Sequence, residues 1–186
     1  MSKNKRIFLT VLFIVISLLF FILAGGYTVI KTYYKLNYTE SIARWADEYG
    51  LDRTLVASVI WTESRFNAKA ESSAGAAGLM QIMPETGQWI AEKIDLGDYS
   101  DDMRFDPDTS IHMGCWYLRY LSDRFSETDT VLAAYNAGPN KVSEWLEDES
   151  YSDDGKTLYH IPYEETDNYV KRVNQANDIY NLFYEI

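Results

Sequence analysis

The sequence predicts an all-α protein, a compact helical domain behind an N-terminal membrane-spanning helix, on three observations. From Ile7 to Ile30 there is no charged residue, and about 20 consecutive apolar residues suffice to cross a bilayer as a helix. Beyond that run, apolar residues recur at three- and four-residue spacings almost to the end, the period of a helix with one buried face. No stretch shows the strict alternation of a half-buried strand, and no internal repeat or low-complexity segment is evident.

The elements follow in order. Lys3, Lys5 and Arg6 precede the apolar run, so the positive-inside tendency puts the N-terminus in the cytoplasm and everything from Lys31 onward outside. The run is longer than the ~7–15-residue apolar core of a cleaved signal peptide. Residues 1–30 therefore read as a cytoplasmic N-terminus and anchor, and residues 31–186 as the extracytoplasmic domain of a single-pass cell-membrane protein. In that domain Ile42, Trp45, Ala46 and Tyr49 mark a helix stopped by Gly50. Asp52 suits the N-cap of a second helix, on which Val56, Val59, Ile60 and Glu63 share one face. A third helix is expected from Leu79 to about Lys93, with Pro84 in its first turn. "DYSDDMRFDPDTS" reads as a polar connection ending in a turn at Pro107, before a helix from Ile111 to Phe125. Helices over Thr128–Tyr135 and Lys141–Leu146 flank the breaker "NAGPN", and "DESYSDDGKT" reads as a charged surface loop. The last helix carries Tyr169, Val173, Ala176, Ile179 and Tyr180 on one side.

Composition excludes several classes of function. Beyond Ile30 lie all 28 acidic residues and all but three of the 17 basic ones, a net charge of −14. Such a domain repels a polyanion, which argues against nucleic acid as a partner. Cys115 is the one cysteine, so no intramolecular disulfide supports the fold and the core must do so. His112 and His160, the two histidines, are too few for a metal site of ordinary ligand count, and no metal or other cofactor is expected.

Glu63 is the residue that invites a chemical reading. It lies on an inward helix face, where lost hydration favours the protonated carboxyl. It also lies near a helix C-terminus, where the dipole disfavours negative charge. Both effects raise its pKa, and a carboxyl kept neutral near physiological pH can serve as a general acid.

Four segments set that acid in context: "ES" at Glu63–Ser64, "GLMQIMP" at Gly78–Pro84, "AYNAGP" at Ala134–Pro139 and "IPYEETDNYV" at Ile161–Val170. In this order they resemble the four signature regions of the soluble lytic transglycosylase catalytic domain, a lysozyme-like α fold related to goose-type lysozyme. The likeness extends through "MRFDPDTSIHMGCWYLRYL" and covers the chain from about Ile42 to its end.

The resemblance implies an enzyme acting on peptidoglycan glycan strands. It would cleave the β-1,4 bond between N-acetylmuramic acid and N-acetylglucosamine without water, leaving a 1,6-anhydromuramyl end. Glu63 would be the sole catalytic carboxyl, first acid and then base. Ser64 would hydrogen-bond near the reacting sugar, the backbone at Gly78 would pass close to the glycan, and Met80 and Gln81 would line the cleft. Tyr135 and Asn136 would face Glu63 and orient the substrate, Tyr169 would bring its hydroxyl to the carboxyl, and Glu165 would support the cleft. One departure stands out: the family commonly shows Glu-Thr-Arg where this chain has Glu165-Thr166-Asp167, which removes a positive charge beside the cleft.

Two alternatives stay open on the residues alone. A muramidase would let water attack and, if inverting, would need a base about 6.5–9.5 Å from Glu63, for which Asp101, Asp102 and Asp106 are candidates. A membrane-tethered glycan-binding or assembly protein would need no catalysis, and the retained Glu63 argues against it. An anchored domain of this kind also suits partnership with cell-envelope machinery, in wall growth, sporulation, secretion or conjugation.

Overall fold

A computed structural model describes residues 3–186. The chain divides into two units, one ending at Lys35 and the other spanning Leu36–Ile186. The first is a single helix, α1 (Lys3–Tyr33), which runs past Ile30. It is long and apolar enough to cross a membrane, and none of its residues is buried by protein.

The regular structure of the second unit is helical: α2 (Thr39–Glu48), α3 (Arg53–Ser64), α4 (Pro84–Lys93), a 3₁₀ turn (Asp101–Phe105), α5 (Pro107–Arg124), α6 (Thr128–Ala137), α7 (Pro139–Leu146) and α8 (Glu164–Phe183). Among the described residues there is no strand, only two isolated bridges, Glu71 with Ala77 and Ala77 with Ile82. Helix α3 is the central element. Asp52 caps it by accepting from the Thr54 and Leu55 amides, as its residue type predicts. Val56, Ala57, Val59 and Ile60 are fully enclosed, and a helix buried on most sides must be apolar nearly all round. It packs chiefly on α8, which also covers α6. Val173, Ala176 and Tyr180 of α8 are sealed, as their spacing predicts, while Ile179 on the same helix is half-buried.

Two boundaries differ most from the sequence-based expectation, while α6 and α7 take in all of the expected breaker except Gly138. The third helix of the domain, α4, starts at Pro84 rather than Leu79. Gly78 and Gln81 take φ of +78° and +48°, which no helix can contain. Residues 77 and 82 instead exchange backbone hydrogen bonds of 3.1 and 3.0 Å, closing a tight loop that Pro84 follows as a first-turn residue. Helix α5 starts at Pro107, ahead of the expected Ile111. The Asp106 carboxylate accepts from the Thr109 amide at 2.9 Å, so Asp-Pro here is a cap and first helical residue rather than a turn before the helix.

Candidate active site

Glu63 lies in the last turn of α3. The helix ends because Arg65 and Phe66 both adopt positive φ, 53° and 61°, at a cost of about 1–3 kcal/mol for a strained residue bearing a side chain. Burial offsets it. Phe66 is 3% exposed and sets its ring edge-on to Tyr180 of α8 at 6.5 Å, while the Arg65 guanidinium lies 3.4 Å over the Trp61 ring. The chain thus turns sharply into the core just beyond the acid and leaves Glu63 at the helix end, half-buried.

Lost hydration pushes the Glu63 carboxyl up to about 7, against the Tyr169 hydroxyl and the Arg172 charge, which lower it. The expected upward shift is therefore present, with desolvation as its main cause. Two phenols share the site. Tyr169, from α8, is held well above the usual tyrosine range by burial first, and then by Glu63 and Tyr135. Tyr135, from α6, is raised in the same way by burial, Glu63 and Tyr117. Both therefore remain O–H donors. The Tyr169 hydroxyl is sealed from solvent and has no partner at full hydrogen-bond geometry. It still acts on the Glu63 proton as a hydrogen-bonding neighbour does.

Tyr135 also joins this trio to an open cleft of about 260 Å³ lined by Gln81, Met83, Thr86, Tyr117, Tyr135 and Asn136, among others. Its hydroxyl donates to the Met80 carbonyl at 2.8 Å, tying α6 to the loop before α4. Asn136 is exposed in the cleft, and its side-chain oxygen accepts from Thr166 of α8 at 2.8 Å. That bond links the third and fourth sequence segments directly. Gln81 lines the cleft as expected, yet its amide already donates to the carbonyls of Gly78 at 3.0 Å and Ala70 at 3.2 Å. Its carbonyl end is the part left for a ligand.

Other sequence-predicted residues have different places. Met80 is fully buried. Its sulfur packs so tightly on Gly114 that a Cβ there would stand 2.1 Å away, so it is a core residue and not a cleft wall. Gly78 is buried too, and a Cβ on it would lie 1.8 Å from the Arg104 carbonyl. The close approach that its missing side chain permits is therefore by the protein's own backbone. Ser64 is buried and donates to the Ile60 carbonyl of its own helix at 3.1 Å. Glu165 is exposed in the first turn of α8, next to Thr166.

Four residues that the sequence did not single out complete the site. Tyr117 and Thr86 form cleft wall, and Arg172 lies close enough to Glu63 to lower its pKa. Arg104 is 5% exposed and donates to the carbonyls of Gly75 at 2.9 Å, Ile82 at 2.7 Å and Asp101 at 3.1 Å. It clamps both ends of the loop carrying Gly78–Gln81. The available signal was that it is the one basic residue in "DYSDDMRFDPDTS". None of Asp101, Asp102 and Asp106 is among the groups that act on the Glu63 proton. Among the described residues no group of three or more His, Cys, Asp or Glu side chains is placed to hold a metal ion.

The family model described as Transglycosylase SLT domain matches residues 40–158. The soluble lytic murein transglycosylase of Escherichia coli (strain K12) is 33% identical over 153 residues, 81% of this chain and 24% of the relative. The membrane-bound lytic murein transglycosylase C of Edwardsiella ictaluri is 33% identical over 116 residues, 57% of this chain and 32% of that protein. Among solved structures, the 70 kDa soluble lytic transglycosylase from Escherichia coli superposes with a TM-score of 0.74 at 31% identity, covering 83% of this chain and 25% of that one. This chain spans about a quarter of the length of the soluble relative it matches.

Proposed function

The chain belongs to the transglycosylase SLT domain family, and from that membership and the site geometry we propose that it is a peptidoglycan lytic transglycosylase. The observation that carries the reading is Glu63, a half-buried carboxyl held near pH 7 between two protonated phenols, with no other carboxylate among the groups acting on it. A hydrolase working through two carboxylates places a second one opposite the first. A lyase working through one needs a group that is neutral before the reaction and basic after it, and a pKa near the working pH serves both states.

In the proposed reaction the protonated Glu63 gives its proton to the oxygen linking N-acetylmuramic acid to N-acetylglucosamine, and the C1–O bond breaks. The resulting carboxylate takes the proton of the muramyl C6 hydroxyl as that oxygen bonds to C1. Glu63 is protonated again and no water is consumed. Tyr169 steadies the carboxylate formed midway, Asn136 and the Gln81 carbonyl end offer hydrogen bonds to the sugar, and Tyr135 fixes the cleft wall through Met80.

The relatives named membrane-bound and the apolar α1 together support membrane association. We place the boundary between anchor and domain after residue 30, where the uncharged run ends before Lys31 although α1 continues to Tyr33, and orient the domain outside the cytoplasm on the charge of Lys3, Lys5 and Arg6. Protease added to sealed cells lacking a wall should degrade the domain and spare α1. Mass analysis of sugars released from purified sacculi tests the reaction itself. Anhydromuramyl ends, one water lighter than reducing ends, are expected, and reducing muramic acid as the primary product would overturn the lyase reading.

A further inference from the structure

The cleft wall does not stop at Tyr117. Three residues along α5 from Tyr117 lies Tyr120, its ring 6.2 Å away and within 10° of parallel. Trp116 continues the set, 5.6 Å from Tyr120 and also within 10°. Trp89 of α4, three residues beyond the cleft-lining Thr86, stands edge-on to all three, at 5.1 Å from Trp116, 5.0 Å from Tyr120 and 6.2 Å from Tyr117. At the near end Tyr117 lies 5.4 Å from Tyr135 in the cleft itself. All four rings are half-buried, so each keeps surface open to solvent.

Their polar edges are equally informative. A packed Trp or Tyr that serves only the core usually finds a partner for its N–H or O–H. Among the described residues no indole N–H or phenol O–H of these four side chains finds a hydrogen-bond partner, and none is sealed away. The patch therefore offers flat apolar faces and unused donors side by side, with no carboxylate in the set. That combination suits a sugar ring, whose faces present C–H groups and whose rim presents oxygen acceptors.

We infer that Trp89, Trp116 and Tyr120 form a sugar-binding platform that extends the cleft along α4 and α5 and holds N-acetylated sugar rings of the same glycan strand, beyond those at Glu63. The inference rests on the function proposed above for the choice of ligand. Continuity with the cleft through Tyr117 decides for a glycan over a lipid surface, as does the domain's net charge of −14, which opposes an anionic membrane.

The test uses the full chain in detergent, with stem-peptide-free strands of two lengths, a tetrasaccharide and strands several times longer. Trp89→Ala and Trp116→Ala are expected to lower the preference for long over short strands by about three- to tenfold, through KM, while Trp89→Phe and Trp116→Tyr retain most of it. In the Glu63→Gln chain, long strands should change the tryptophan emission, and replacing both tryptophans with phenylalanine should abolish that change. Folded alanine variants that keep the wild-type preference, or lose activity equally on both lengths, overturn the inference. So does an emission change on reconstitution into phosphatidylglycerol vesicles with none on long strands, which would assign the rings to lipid. The emission titration needs no turnover. A wild-type chain that binds long strands through these rings and cleaves none refutes the proposed reaction and leaves the platform standing.

Discussion

Glu63→Gln separates the chemistry of the site from its energetics. The amide keeps the size and hydrogen-bonding capacity of the carboxyl and cannot exchange a proton, so turnover should fall by about 10²–10⁴, or further because both steps use the group. Stability should move the other way. At about 1.4 kcal/mol per pKa unit, the rise of Glu63 from 4.5 to about 7 is worth at most about 3.5 kcal/mol, reduced because the side chain keeps some solvent. A carboxyl whose folded pKa is raised contributes stability that is fully present below its unfolded pKa, near 4.5, and lost as pH rises through about 7. The stability difference between wild type and variant should therefore be constant below pH 4.5 and shift in favour of the variant from there to pH 7. Above pH 7 the variant should be the more stable. Urea unfolding at pH 4, 5.5, 7 and 8.5 reads this, and the pH dependence of kcat/KM should show a descending limb near 7 in the wild type. Parallel stability curves for the two proteins across this range would refute the raised pKa. Near-normal turnover by folded Glu63→Gln would refute the site.

Three further changes test individual contacts. Tyr169→Phe removes a hydroxyl that lowers the Glu63 pKa and has no full partner of its own, so the descending limb should move to higher pH with little loss in thermal stability; an unmoved limb would show that the hydroxyl does not act on the carboxyl. Tyr135→Phe leaves the Met80 carbonyl without its 2.8 Å donor and should cost about 1–3 kcal/mol, read as a lower urea midpoint, with no change expected if water replaces the phenol. Gly78→Ala drives a Cβ to 1.8 Å from the Arg104 carbonyl at a φ of +78° and should destabilise by more than about 3 kcal/mol; a calorimetric scan matching wild type would mean that the loop has room the geometry denies.

The helices were legible because burial follows period. Val56, Val59 and Ile60 are sealed and Asp52 caps α3, as their order in the chain implies. The acid was legible for the same reason: the period that seals Val56 and Val59 also turns Glu63 inward, and lost hydration then raises its pKa. The loop before α4 was not. Its apolar residues Leu79, Met80 and Ile82 continue a helical pattern, and nothing local to them reveals that the guanidinium of Arg104, beyond the far end of α4, holds the Gly75 and Ile82 carbonyls. A glycine also reads ambiguously in sequence, since room for a ligand and room for backbone leave the same mark. At Gly78 the backbone fills that room.

That loop shows how the signature segments divide their work. Met80 never reaches the cleft, yet its carbonyl takes the Tyr135 hydroxyl and its sulfur fills the space over Gly114. Displacing it would shift Tyr135, which borders Glu63 on one side and the open cleft on the other. Likewise the Asn136 side chain is held in its orientation by Thr166, the residue between Glu165 and Asp167. Asp167 itself pairs with Lys171 at 2.6 Å, so the acid at that position carries its own counter-charge. The positive charge that does act on Glu63 comes instead from Arg172, seven residues after Glu165 and three after Tyr169, on the same stripe of α8. Its effect adds to that of the Tyr169 hydroxyl in opposing desolvation, and the three together set the carboxyl near pH 7, the value at which one group can give a proton and then take one back.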